Sequence, residues 1–233
     1  MHLEAATLSF HNLDFSNIKI QLPQNLITSD SLKAYNLQAE DITLQLDPQL
    51  DINGHFTFYE GQGHLSLDIG QFIEDSRTDL VFDIKGFNMN RLLADISEEI
   101  YISGFMDISG RLSLGEEEPR FNARFNSVRR RGVRQVMNFG AVKMIASIGG
   151  GGGVQIGRSN FGYSRIAGEI DIDRGYLTLK GNAGTRGDNE YIIRGGLFGG
   201  INLSIHRDFR TISMSYLSER LKSEWEEIAA EIR

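Results

Sequence analysis

Along most of the chain, apolar and polar residues alternate one by one. "DITLQLD" carries Ile42, Leu44 and Leu46, and "HFTFYEGQGHLSLDIG" carries Phe56 and Phe58 on one arm and Leu65, Leu67 and Ile69 on the other. "DLVFDIKG" places Leu80, Phe82 and Ile84 in phase, and "GFMDISGRLSLG" does the same for Met106, Ile108, Leu112 and Leu114. "GEIDIDRGYLTLKG" has Ile170 and Ile172, a turn at Arg174 and Gly175, then Leu177 and Leu179. Further on come Ile201, Leu203 and Ile205, then Ile212 and Met214. A period of two marks strands with one dry face and one wet face. Turn signals every 8–12 residues or so suit an antiparallel meander, and the whole pattern predicts roughly a dozen strands.

Three segments change period. "NMNRLLADISEE" sets Met89, Leu92, Leu93 and Ile96 at helical spacing, a helical insertion near 88–98. "GVRQVMNFGAVKMIASIG" sets Val133, Val136, Met137, Gly140, Ala141, Met144, Ile145 and Ile148 on one stripe. That predicts a helix over 132–148, with Gly149 to stop it. The C-terminal "YLSERLKSEWEEIAAEIR" puts Leu217, Leu221, Trp225, Ile228 and Ile232 on one side and charges on the other, an amphipathic helix over 216–233. No low-complexity linker interrupts residues 1–215, so they read as one β domain. "GEEEP" at 115–119 reads as a hairpin tip or surface loop. The predicted fold class is mainly β: a long curved antiparallel meander forming a groove or partly closed barrel, with two or three short amphipathic helices.

Composition narrows the function. The 233 residues can bury a sizeable core. The net charge of -7 argues against general nucleic-acid binding, which needs a basic footprint. Cysteine is absent, which removes disulfides, thiolate metal sites and cysteine nucleophiles. No apolar run reaches the length of a membrane-spanning helix, and "MHLEAATLSF" lacks the charged start and apolar core of a signal peptide. It enters directly into a strand-like pattern, as an excised domain with an added start Met would.

The motifs that carry chemistry are few. Gly149 to Gly153 are followed by Val154, Gln155 and Ile156, so the Lys and hydroxyl of a phosphate-binding loop are missing. The order helix, glycines, strand also reverses that of a dinucleotide fingerprint. The run reads as a connection or a hinge at a binding site. Arg129, Arg130, Arg131 and Arg134 precede the predicted helix and Lys143 lies within it. A basic amphipathic helix can rest on an anionic membrane, although the same residues also fit a solvated cap on a β core. His55 and His64 fall on the polar faces of one hairpin, and with Asp68 they could hold a metal, but the spacing matches no specific motif. No metal or cofactor is expected. No nucleophile elbow occurs, and carboxylates such as Asp171 and Asp173 fall on wet faces, so no enzyme is expected.

What remains is the aliphatic faces. In a closed sandwich or barrel they bury one another. In a long open sheet they line an apolar groove that can hold acyl chains by area burial, at roughly 25 cal/mol per Å². Both structures need the same alternation.

"VMNFGAVKMIASIGGGG", followed by "FGYSRIAGEIDIDRGYLTLKG" and "YIIRGGLFGGINLSI", resembles the C-terminal region of AsmA-like envelope proteins. There a helix with an L-N-F-G-like core leads to a strand of the type G-x-I-x-I-x-x-G-x-L and then to a strand ending near a glycine pair. "LLADISEEIYISGFMDISGRLSLGEE" is similar to the short helix and glycine-containing strand that precede them. The match runs over roughly residues 85–206, and its motifs are glycines and alternating aliphatics rather than catalytic residues. The resemblance implies a groove-forming β fold like that of TamB-type bridge-like lipid transfer proteins. It implies a bacterial periplasmic location, as the C-terminal part of a membrane-anchored protein whose anchor this chain lacks. It also implies phospholipid transport between inner and outer membrane, or outer-membrane assembly, with envelope proteins as further partners. The groove residues expected to touch acyl chains are Leu65, Leu67, Leu80, Phe82, Ile84, Met106, Ile108, Ile170, Ile172, Leu177 and Leu179. Arg129, Arg130, Arg131, Arg134 and Lys143 are expected at the membrane surface. The helix over 132–148 and its glycine run would form an end cap or lip, and the C-terminal helix a plug, an edge cover or a partner contact. The alternative is a closed structural or interaction domain without ligand.

Overall fold

The computed structural model describes residues 19–22, 37–45, 51–68, 77–96, 99–115, 118–148, 160–196 and 200–219. The glycine run Gly149 to Gly153, Ile69 and most of the predicted C-terminal helix, with Leu221, Trp225, Ile228 and Ile232, lie outside them. The meander begins with β1 (Lys19–Leu22), β2 (Leu37–Gln45), β3 (Asp51–Phe58), β4 (Gly61–Asp68) and β5 (Thr78–Asn88). It continues through β6 (Phe105–Leu114), β7 (Arg120–Val128), β10 (Arg165–Asp173), β11 (Tyr176–Gly181) and β15 (Thr211–Ser213), each paired antiparallel to the one before it. Between β11 and β15 the short strands β12 (Gly184–Arg186), β13 (Asn189–Arg194) and β14 (Leu203–His206) join the same sheet, β13 also pairing with β10. The resulting 13-stranded sheet is not closed into a barrel. β8 (Val136–Asn138) and β9 (Asn160–Gly162) form a separate two-stranded sheet.

Register turns the sequence alternation into two faces. Ile52, Leu67, Leu80, Leu112, Phe121, Ile172, Leu177 and Ile212 are successive cross-strand partners from β3 to β15. Two residues along each strand lies a second apolar row through Leu65, Phe82, Ala123, Ile170 and Leu179. The intervening positions form the polar face, where His55, His64, Asp83, Ser109, Arg124, Glu169 and Lys180 follow one another in register. Ion pairs lace this face: Arg111 to Asp79 at 3.1 Å, and Arg124 and Lys180 to Glu169 at 3.4 and 3.9 Å. Burial works against the Glu169 carboxylate, but a hydrogen bond from Asn122 and the charges of Lys180 and Arg124 outweigh it and hold the carboxyl below its ordinary range.

The apolar face is flattened by a recurring pair. Phe56 stands opposite Gly63, Phe82 opposite Gly110, and Phe125 opposite Gly168. In each pair a Cβ on the glycine would meet the facing ring at 2.3–2.6 Å, so the ring occupies the space a side chain would take. These three glycines sit mid-strand, in phase with the apolar residues, and exist for close approach rather than for a bend.

The hairpin β3–β4 turns through Tyr59 and Glu60, both at positive φ (45° and 70°), and β10–β11 through Arg174 and Gly175 (48° and 73°). Two-residue loops of this type match the twist of the flanking strands. Tyr59 is 2% exposed and donates its hydroxyl to Asp95 at 2.7 Å, tying the hairpin tip to α1 (Met89–Ile96). α1 falls within the predicted insertion and buries Leu93, but Ile96 is exposed rather than on the packed side.

The second helix differs from expectation. Residues 132–138 are not helical: the chain turns at 131–132, runs extended, and forms β8 before α2 (Phe139–Ile148) begins. Asn138 sets this boundary. Its Oδ1 accepts from the Ala141 amide at 3.0 Å, capping the helix, and from the Tyr101 amide at 3.1 Å, while its Nδ2 donates to the Glu99 carbonyl at 2.7 Å. Gly140 must be glycine here, since a Cβ would lie 2.9 Å from the Glu99 carbonyl oxygen. The N-F-G core of the quoted segment is thus a cap and a close approach. Met137, Ala141 and Val142 are fully buried and join Ile100, Ile102, Phe161 and Tyr163 in a core that closes one end of the apolar face. Burial pushes the Tyr163 phenol up to about 12, and its hydroxyl donates to the Ser103 carbonyl. The predicted C-terminal helix is entered at residues 214–219, where Leu217 is buried in the core.

Candidate functional site

The eleven residues expected to line a groove all lie on the one apolar face, but they divide by depth. Ile84, Met106, Leu177 and Leu179 are each less than a tenth exposed and belong to the core. They pack inside the core rather than standing exposed on a groove wall, as lining residues would. Leu65, Phe82, Ile108, Ile170 and Ile172 are half-buried and pack against that core. Leu67 and Leu80 are half-buried and outside the core cluster. The same position is shared by three residues sequence reasoning left off the list, Ile52, Leu112 and Phe121. They were findable: Leu112 is in phase with Met106 and Ile108 in "GFMDISGRLSL", and Phe121 opens the next strand on the same phase.

The apolar face therefore grades from one end to the other. Near α1, α2 and the β8–β9 sheet it is a closed core. Toward the other end it is a band of Ile52, Leu67, Leu80, Leu112 and Phe121 that the protein only half covers. Phe82 and Phe121 stack at 6.1 Å and give this band an aromatic floor. With strands ~4.8 Å apart, the five-strand band from β3 to β7 runs roughly 19 Å. Such a surface offers dispersion and area burial and no reactive group. Among the described residues, no group of three His, Asp or Glu is placed to hold a metal ion. His55 and His64 lie on the polar face with ring centroids 5.0 Å apart and planes tilted by 47°, next to Asp83 in register rather than Asp68.

The basic cluster is not the start of a helix. Arg129, Arg130 and Arg131 lie in the connection after β7, and Arg134 in the extended stretch before β8. Arg130 is structural: its guanidinium sits 3.6 Å from the Phe105 ring centroid and donates to the Gly86 carbonyl at 3.2 Å. Its side chain nevertheless stays exposed. Arg129 reaches the Ser164 carbonyl at 3.5 Å, and Arg131 and Arg134 are exposed. Lys143 is half-buried, with its ammonium 5.2 Å from the Phe139 ring. Among the described residues no helix is long and apolar enough to cross a membrane.

Comparison with known proteins returns no matching family model, no matching curated protein and no matching solved structure.

Proposed function

We propose that this chain is a non-enzymatic lipid-binding domain, and that the half-covered end of its apolar face carries phospholipid acyl chains while headgroups remain in water. The observation that carries the reading is the band of Ile52, Leu67, Leu80, Leu112 and Phe121, continuous across five strands of an open sheet and outside the packed core. Each methylene withdrawn from water onto such a surface contributes ~0.8 kcal/mol when fully covered. The opposite face, with its ion pairs and hydroxyls, suits solvent. The resemblance of residues 85–206 to AsmA-like proteins supports the same reading and adds its setting: the bacterial periplasm, within a membrane-anchored protein, in phospholipid transport between inner and outer membrane or in outer-membrane assembly.

A closed structural domain is the competing reading, and the near-complete burial of Met106, Leu177 and Leu179 favours it for the capped end. A fluorescent stearate analogue separates the two. Saturable uptake by the native protein, with blue-shifted emission, is the expected outcome. Absence of uptake under conditions where the protein is folded would overturn the lipid reading.

A further inference from the structure

Arginines on and beside the sheet differ in their partners. Arg111, Arg120, Arg124 and Arg207 each sit beside a carboxylate, at 3.0–3.4 Å. Arg129, Arg165 and Arg194 do not: among the described residues no carboxylate pairs with them. Instead the three line one open pocket of about 750 Å³ together with Asn126, Ser164 and Asn202, and no acidic residue lies on its wall.

The pocket forms where the sheet forks. β10 pairs with β11 from Gly168 onward, but at Arg165 and Ile166 its partner is β13. On the other side the β7 ladder has ended, and the Ser127 hydroxyl accepts the Ile166 amide at 2.9 Å in its place. Arg165 and Arg194 consequently stand directly opposite each other across two strands, and Arg129 enters from the turn after β7. Like charges placed opposite one another on adjacent strands destabilise a sheet. Among the described residues nothing acidic relieves them, in a protein whose net charge is -7. Two of the guanidiniums are already oriented, Arg165 by Asn126 at 3.1 Å and Arg129 by the Ser164 carbonyl.

We propose that this pocket binds a phosphate-bearing anion, whose oxygens accept from the guanidinium forks of Arg129, Arg165 and Arg194. The group is either free phosphate or the headgroup phosphate of a lipid. The site lies on the polar side of the sheet, apart from the acyl band, and does not depend on it.

The test uses inorganic phosphate at low ionic strength, where exposed charges are least screened, and flotation with vesicles containing phosphatidic acid. Arg165→Gln and Arg194→Gln are compared with Arg111→Gln, an acid-paired arginine outside the pocket. At a hundredfold excess over Kd, phosphate should raise the melting temperature of the native chain by roughly 5–11 °C. The two pocket variants should lose that shift, melt no lower than the native chain without phosphate, and leave Arg111→Gln alone in behaving as native. A phosphate shift without flotation assigns the pocket to a soluble phosphate. Flotation lost in the pocket variants and retained in Arg111→Gln assigns it to a lipid headgroup. The proposal is overturned if native protein shows neither response, or if both pocket variants respond as native does.

Discussion

Leu80→Asp is expected to weaken acyl-chain uptake roughly thirty-fold while the sheet stays folded. Leu80 lies in the middle of the half-covered band, with Leu67 on one side and Leu112 on the other, and it is not part of the core cluster. A carboxylate there removes an apolar contact and must be desolvated beneath any bound chain. A penalty of about 2 kcal/mol corresponds to roughly thirty-fold weaker binding. Stability should fall by about 1 kcal/mol, a shift of roughly 2–4 °C, because the position is open to water. Leu112→Asp should act alike. Leu179→Asp makes the contrast, since that side chain is 6% exposed within the core and its loss should prevent folding. Native circular dichroism with undiminished stearate uptake in Leu80→Asp and Leu112→Asp would move any lipid site off this band.

Gly168→Val should be strongly destabilising. A Cβ at Gly168 would stand 2.5 Å from the Phe125 ring and 2.7 Å from the Lys180 carbonyl oxygen, so both the ring and the neighbouring strand must move. Overpacking of this kind costs about 2–3 kcal/mol, which for a chain of this size lowers the melting temperature by roughly 4–12 °C. Phe125→Ala in the same chain should return part of the loss, with a coupling of about 1 kcal/mol in a double-mutant cycle. Strictly additive effects would mean the ring does not rest on the glycine.

The faces of the sheet were legible because alternation is a local property. Leu67, Leu80 and Ile170 could be assigned to one side without knowing their neighbours, and the two-residue turn at Arg174 and Gly175 follows from its own residues. The helix start was not legible. Val133, Val136 and Met137 fit a helical stripe as well as an extended chain, and what decides is remote: Asn138 bonding to the backbone of residues 99 and 101, and β8 pairing with β9. Nor could sequence tell how deep each apolar residue lies. Leu177 and Leu67 carry the same pattern, yet the first is in the core and the second is not. The arginines show the same limit: Arg129 and Arg130 are adjacent in sequence, but one lines a pocket and the other stacks on Phe105.

Native mass spectrometry of the purified protein, with lipid extraction from the same sample, addresses the central claim most directly. The account expects co-purifying phospholipid in near-stoichiometric amount, reduced in Leu80→Asp. A clean apo mass that stays clean after incubation with phospholipid vesicles would contradict it, and the apolar band would then be a structural surface without cargo.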